Sequence, residues 1–337
     1  MLKKMIWVVL VIIIASVIFL TGPKPMYDEV DASLPEVTSN LSQLEEEIKK
    51  SELGVENLKP DNEARIVWAD TTLKQKTRYS IIYIHGFGAS WAEGDPIHQD
   101  LAKKYGANLY LARMHGAGVN DPNVFQDLTP ENFIEGAKRA LAIGKVLGDS
   151  VIVMGTSAGG LLSVFLAANH PEVKGLILYS PCMKIATTGS TLVTGPWGRQ
   201  ILNLISGTHR STVDADAELA KYWLQQYHTN GIIALQQTID LLSQPSVFEK
   251  IKMPVFLGYY YKNEQEQDEV VSVDAMQKMF VKLGTPSDLK TEQAFPETAD
   301  HVIGSHLRSK DVKSVYEATD RFFQEKLKMI PVSKSEN

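Results

Sequence analysis

Gly155-Thr156-Ser157-Ala158-Gly159 sets a serine between two glycines, after the apolar run Val151–Met154 and before a helix-like run from Leu161 to Ala168. A G-x-S-x-G stretch between strand and helix is what a sharp turn presenting a nucleophilic hydroxyl requires. The glycines serve the bend, where a Cβ would clash. The following helix aims its N-terminus at the place where an oxyanion would form. The chemistry so suggested is acyl transfer through a serine ester.

A serine hydroxyl near neutral pH needs a base in hydrogen-bond reach, and the base needs an orienting carboxylate. Where the nucleophile sits on such an elbow, the chain order is serine, acid, histidine. The downstream histidines are His170, His209, His228, His301 and His306. His170 closes the helix after the elbow, and His209 and His228 fall in a helical insertion. His301, just after the last expected strand in Thr298-Ala299-Asp300-His301-Val302-Ile303, is the candidate base, with His306 as the alternative. The acid should follow the strand Val255–Tyr260, in a loop carrying Glu264, Glu266, Asp268 and Glu269. Asp268 is chosen because it precedes the turn into Val270-Val271. Glu264 and Glu266 stay open, because the loop before Asp268 is long.

Acyl transfer also needs donors for the oxyanion. Ala158 N–H, directly after the nucleophile, is one. Phe87 N–H, in Ile84-His85-Gly86-Phe87-Gly88, is the second, with Gly86 and Gly88 allowing a tight loop. His85 precedes the nucleophile and is read as a brace for that loop. Arg113-Met114-His115-Gly116-Ala117-Gly118 reads as another glycine-supported loop near the site. No H-E-x-x-H, P-loop or strand-to-helix G-x-G-x-x-G is present, so nothing calls for a metal or nucleotide cofactor.

The elements that must position these residues alternate. Short apolar strands are expected at Arg65–Trp68, Ser80–Ile84, Asn108–Leu111, Val151–Met154, Leu176–Tyr179, Val255–Tyr260 and near Leu289–Glu292. Helices are expected at Gln99–Lys104, Pro130–Leu147, Leu161–Asn169 and Ala275–Leu283. Near-continuous apolar strands alternating with helices predict a doubly wound, mostly parallel α/β sheet covered on both faces. Ligands of such sheets bind at the C-terminal strand ends. From about 184 to 245 no strong strand is expected, and helix-like segments fall at Ala215–Tyr227 and Ile232–Leu242. This segment is read as a helical cap, whose Trp197, Ile201, Leu204, Trp223 and Ile232 would either line an acyl pocket or pack the cap itself.

The remaining chain divides into an N-terminal segment (1–22), a linker with an amphipathic helix (23–60), the main domain (61–328) and a polar tail (329–337). Ser42 and Glu45 have capping-box spacing, Leu41, Leu44 and Ile48 share a face, and Gly54 follows as a stop. Lys3 and Lys4 precede an uncharged run from Met5 to Gly22, followed by Asp28, Glu29 and Asp31. This pattern favours an uncleaved signal-anchor, with a cleaved signal peptide as the alternative, and either places the main domain outside the cytoplasm. The 337-residue chain carries a net charge of −6, and its 44% hydrophobic content is ample for a core. With no basic patch, nucleic acid is not an expected partner. The expected partners are a small-molecule ester or lipid substrate and, through the N-terminal segment, a membrane. One cysteine, Cys182, excludes an intrachain disulfide and reads as a small buried thiol.

Over about residues 64–325 the chain resembles the α/β-hydrolase superfamily. The resemblance rests on I-H-G-F-G at Ile84–Gly88, R-M-H-G-A-G at Arg113–Gly118, G-T-S-A-G-G at Gly155–Gly160, Ser180-Pro181, D-E-V-V at Asp268–Val271 and D-H-V-I at Asp300–Ile303. Their order and spacing are similar to the branch of bacterial carboxylesterases, monoacylglycerol-lipase-like enzymes and serine aminopeptidase-like hydrolases. The resemblance implies a triad of Ser157, Asp268 and His301, an oxyanion hole at Phe87 and Ala158, and hydrolysis of carboxylic esters through an acyl-enzyme. A membrane-associated lysophospholipase or monoacylglycerol lipase, a serine peptidase and a non-catalytic binding protein on the same fold are the alternatives. The branch's usual R-x-x-G-H-G has Ala117 in place of histidine, the loop before Asp268 is long, and the N-terminal segments are additions.

Overall fold

The computed structural model describes residues 2–27, 30–212 and 216–332. Asp28 and Glu29, Ala215 at the start of a helix-like segment, the side chain of Lys3 and the tail from Ser333 lie outside the described residues.

Among the described residues nine strands follow in chain order: β1 (Arg65–Val67), β2 (Thr77–Ile84), β3 (Asn108–Leu111), β4 (Gly148–Thr156), β5 (Gly175–Tyr179), β6 (His209–Ser211), β7 (Gln226–His228), β8 (Val255–Tyr259) and β9 (Lys290–Ala294). Seven form one sheet in the order β1-β3-β2-β4-β5-β8-β9, parallel throughout except for β1. This is the α/β-hydrolase fold. The continuous apolar reading of β2 has a direct cause. Ile81 and Tyr83 face one buried cluster and Ile82 and Ile84 face the other, as the period of two dictates.

The first cluster is closed by the helices Ile97–Tyr105 and Val312–Glu325, through Leu101, Phe322 and Phe323. The second takes Pro130–Leu147, Ala158–Asn169 and Val273–Lys282. Pro130 stands at the start of its helix, and Thr129 and Asn132 close a reciprocal capping box there.

The helix near residue 42 begins two residues earlier than its capping-box spacing suggests. It spans Leu41–Leu53, and its N-cap is Asn40, whose side chain accepts the Gln43 N–H at 3.0 Å, so Ser42 is not the cap. Leu44 and Ile48 are buried against the main cluster, with Leu41 partly buried beside them. Gly54 ends the helix at φ −80°, without a left-handed residue.

The insertion between β5 and β8 contains two strands that the sequence pattern does not announce. β6 and β7 pair antiparallel, with Arg210 opposite Tyr227. The second of them overwrites the end of the helix expected at Ala215–Tyr227, which is confined to Ala217–Tyr222. Both strands are three residues long and exposed or half-buried, which leaves no apolar alternation to read. The insertion is tied to the core by backbone bonds from Leu224 N–H to Gly88 and from His228 N–H to Val124. The Asn230 amide adds bonds to the carbonyls of Phe125 and Leu128.

A helix covers Leu2–Leu20, with its apolar side chains exposed from Met5 onward. Among the described residues no helix is long and apolar enough to cross a membrane. The end of this helix meets the insertion. Trp197 Nε1–H donates to the Ile18 carbonyl at 3.2 Å, and Trp197 N–H donates to Pro23 at 2.9 Å.

Candidate active site

β4 ends at Thr156, and Ser157 follows at φ 53°, ψ −120°, before the helix Ala158–Asn169. A non-glycine residue in this region stores about 1–3 kcal/mol of backbone strain, which surrounding bonds must hold. Ser157 N–H donates to Tyr179 at the end of β5, and Ser157 C=O accepts from Cys182 and Leu161. The flanking glycines are required by contact. A Cβ on Gly159 would land on the Ile84 carbonyl oxygen, and one on Gly155 would strike Ser163 Oγ. Ala158 is the first residue of the helix, so its N–H has no partner a turn earlier within it.

His301 lies on the loop after β9, preceded by Ala299 at φ 52°. Its Nδ1–H donates to Asp268 Oδ2 at 2.6 Å, with the carboxylate side chain fully buried. Asp268 Oδ1 accepts the N–H groups of Val270 and Val271, both at 2.9 Å. The long loop before Asp268 folds back on itself. Tyr261 bridges Gln267 and Asp268 N–H returns to the Tyr260 carbonyl, so seven residues form an excursion that leaves Asp268 at the strand end. Glu264 and Glu266 lie on that excursion and bond to Tyr261, Lys262 and Asn263, away from any histidine.

His301 Nε2 is buried with no hydrogen-bond partner among the described residues. It borders, with Ser157, a cavity of about 890 Å³ at the C-terminal strand ends. Burial lowers the His301 pKa, but the adjacent Asp268 charge and its hydrogen bond outweigh that and hold it above the usual histidine value. The loop carrying His301 is fastened by Ser180, at φ 42°, whose hydroxyl donates to the His301 carbonyl at 2.8 Å.

The Ile84–Gly88 loop is braced as a histidine there suggests. His85 Nδ1–H donates to the Gly86 carbonyl and Nε2 accepts Met114 N–H. Burial pushes its pKa down to about 4, so it stays neutral. The Phe87 ring packs on Phe125 and Tyr227 at centroid distances of 4.7 and 5.4 Å, forming an aromatic wall of the cavity.

The other candidates lie apart from this group. His306 faces Asp95, His170 Nε2 bonds the Ala32 carbonyl, His209 faces Asn123, and His115 pairs with Asp127. Arg113 makes a two-pronged ion pair with Glu52, which ties the Leu41–Leu53 helix to the core. Of the five apolar insertion residues, Trp223 and Ile232 line the cavity, whereas Leu204 is exposed and Trp197 packs against Gly22. Cys182 is buried, and burial pushes its thiol up to about 12. Among the described residues no cluster of His, Cys, Asp and Glu is disposed to hold a metal ion.

One residue of the site carries no sequence signal. Glu93, in the turn Trp91–Gly94, is buried at the cavity edge and accepts Gly86 N–H at 2.5 Å. Burial pushes its carboxyl up to about 7, against the opposing pull of Gly86 N–H and the charges of His301 and Arg308.

Residues 75–230 match the family model described as serine aminopeptidase, S33. No curated protein matches the chain in sequence. Among solved structures it is similar to LipS and LipT, described as metagenome-derived lipolytic enzymes, at TM-score 0.64 and 17% identity, covering 79% of this chain and 99% of that one. It is also similar to the monoacylglycerol lipase of Paleococcus ferrophilus, at TM-score 0.57 and 16% identity over 78% and 98% of the two chains. Est1E of Butyrivibrio proteoclasticus, with ferulic acid bound, aligns at TM-score 0.55 and 20% identity over 79% and 95%. At these identities the structural likeness speaks for the α/β-hydrolase fold, and the segment that matches the hydrolase family model is residues 75–230, which carries the elbow.

Proposed function

We propose that the chain is a serine hydrolase of carboxylic esters working through an acyl-enzyme. The observation that carries this reading is that His301 holds Nδ1–H on Asp268 and keeps Nε2 buried and unbonded at the cavity that Ser157 also borders. In this reading His301 Nε2 takes the Ser157 proton as Oγ attacks the ester carbonyl. Ala158 and Phe87 N–H groups receive the oxyanion. His301 then returns the proton to the leaving alcohol, and a water repeats the sequence on the acyl-enzyme. Asp268 keeps the imidazole in the required tautomer and stabilises the imidazolium.

A lipid ester is the second reading, in the form of a membrane-associated lysophospholipase or monoacylglycerol lipase acting outside the cytoplasm. It is favoured by the exposed apolar helix Leu2–Leu20, whose end is hydrogen-bonded to Trp197 of the insertion. Sequence similarity of residues 75–230 to a serine aminopeptidase model keeps an amide substrate as an outcome of the test. The experiment is hydrolysis of a chromogenic ester series of rising acyl length by the full chain, beside Ser157→Ala. Turnover lost in the variant supports the reading, and the chain-length optimum separates short-chain esterase from lipase. A folded protein that cleaves no ester, or a variant with wild-type rates, overturns it.

A further inference from the structure

Glu93 stands outside the Ser157–His301–Asp268 group but touches the loop on which the oxyanion would form. Its Oε2 accepts the Gly86 N–H, one residue before Phe87. Its Oε1 lies 2.8 Å from where a Gly86 Cβ would stand, and Ser157 Cβ lies 3.0 Å from the same point. Thus one glycine's bare Cα is all that fits between the carboxylate and the nucleophile. The turn bearing Glu93 is also fastened to the histidine loop, since Ser305 Oγ–H donates to Ala92 and His306 N–H donates to Asp95.

The groups facing Glu93 come from three elements. From β2, the Tyr83 hydroxyl meets it and also bonds Thr156 Oγ1, next to the nucleophile. His301 and Asp300 face it from the loop after β9, and Arg308 from further along that segment. The oxyanion loop contributes Gly86 N–H. His301 itself is bonded through Nδ1 to Asp268, and Glu93 faces it without a hydrogen bond to it.

We propose that Glu93 is a positioning residue of the acyl-transfer site, fixing the Gly86–Phe87 backbone for the oxyanion. The inference rests on the ester-hydrolase reading above. The duty can be isolated chemically. Glutamine keeps an oxygen for Gly86 N–H, whereas alanine removes it.

The test compares Glu93→Gln and Glu93→Ala in the full chain, on one chromogenic ester, across the pH range in which histidine titrates. A fluorophosphonate probe counts competent Ser157 sites, so that rates are expressed per labelled site. For Glu93→Gln, which keeps the acceptor for Gly86 N–H, kcat per site should stay within about threefold of wild type at every pH. For Glu93→Ala, kcat per site should fall by about 100-fold with KM little changed, the size expected when an oxyanion donor is misplaced. A kcat per site that falls as far in Glu93→Gln as in Glu93→Ala, or wild-type kcat per site in Glu93→Ala, overturns the inference while leaving the ester-hydrolase reading intact. Absence of Ser157-dependent labelling and turnover in the wild type would instead bring down that reading, and this inference with it.

Discussion

Asp268 Oδ2 lies 2.6 Å from His301 Nδ1, while its other oxygen is occupied by the N–H groups of Val270 and Val271. The carboxylate is therefore oriented by its own turn and presents one oxygen to the imidazole. Asp268→Asn keeps this shape but offers His301 an amide that favours the wrong tautomer. Ester turnover should fall by about 10⁴ with little loss of thermal stability. Steady-state kinetics and a melting curve check both halves, and a loss under tenfold would count against Asp268 as the orienting acid.

The same pair predicts a pH dependence. Burial acts to lower the His301 pKa, but Asp268 raises it further. The base works only when neutral. The kcat/KM of the wild type should therefore fall as pH drops through a value above the ordinary histidine pKa of about 6.5. A profile still flat below pH 6 would contradict the Asp268–His301 coupling.

Stability should fall on mild acidification for a different reason. Burial pushes His85 and His98 down to about 4, so each contributes stability that is full above its ordinary 6.5 and is lost as pH falls toward 4. Each contribution is about 3 kcal/mol at most. Glu93, raised to about 7, acts oppositely: its contribution is full below 4.5 and lost as pH rises through 7. The urea midpoint should therefore drop between pH 7 and 4.5, and drop more steeply in Glu93→Gln. An equal or shallower slope in that variant would show that Glu93 is not held protonated.

Gly159→Ala tests why the elbow demands glycine. The added methyl would meet the Ile84 and His85 carbonyls, which are backbone atoms and cannot swing aside. The expected cost is about 3 kcal/mol of stability together with loss of Ser157 labelling. Near-wild-type melting would mean that β2 and the helix after Ser157 can separate more easily than their packing suggests.

Lys59 offers a handle on the insertion. Its ammonium donates to the carbonyls of Ala220 and Trp223, both at 2.9 Å, at the end of the short helix Ala217–Tyr222. Burial pushes its pKa down to about 8. Lys59→Met removes both bonds, and amide exchange across 217–228 should speed up about tenfold while the central strands stay protected. Unchanged exchange there would show that Lys59 does not hold the helix end.

What the sequence by itself determined was local. The turn around Ser157 is legible because its glycines, apolar strand and helix are contiguous, so one short window contains every contact that forces the bend. The core strands are legible because burial on both faces leaves continuous apolar runs, as Ile81–Ile84 shows. What only the tertiary structure decided was pairing across distance. Four carboxylates in one loop look alike in sequence, and the hairpin closed by Tyr261 and Gln267 is what engages Glu264 and Glu266 with Tyr261, Lys262 and Asn263 and brings Asp268 to His301. Asn40 displaces Ser42 as a cap because the chain enters the helix two residues sooner than the spacing implies. β6 and β7 exist through their mutual backbone bonds and not through any pattern of their own. Glu93 is the clearest case. On paper it is an ordinary acidic residue in a short turn, and only folding removes its water and sets it against Gly86, Tyr83 and His301.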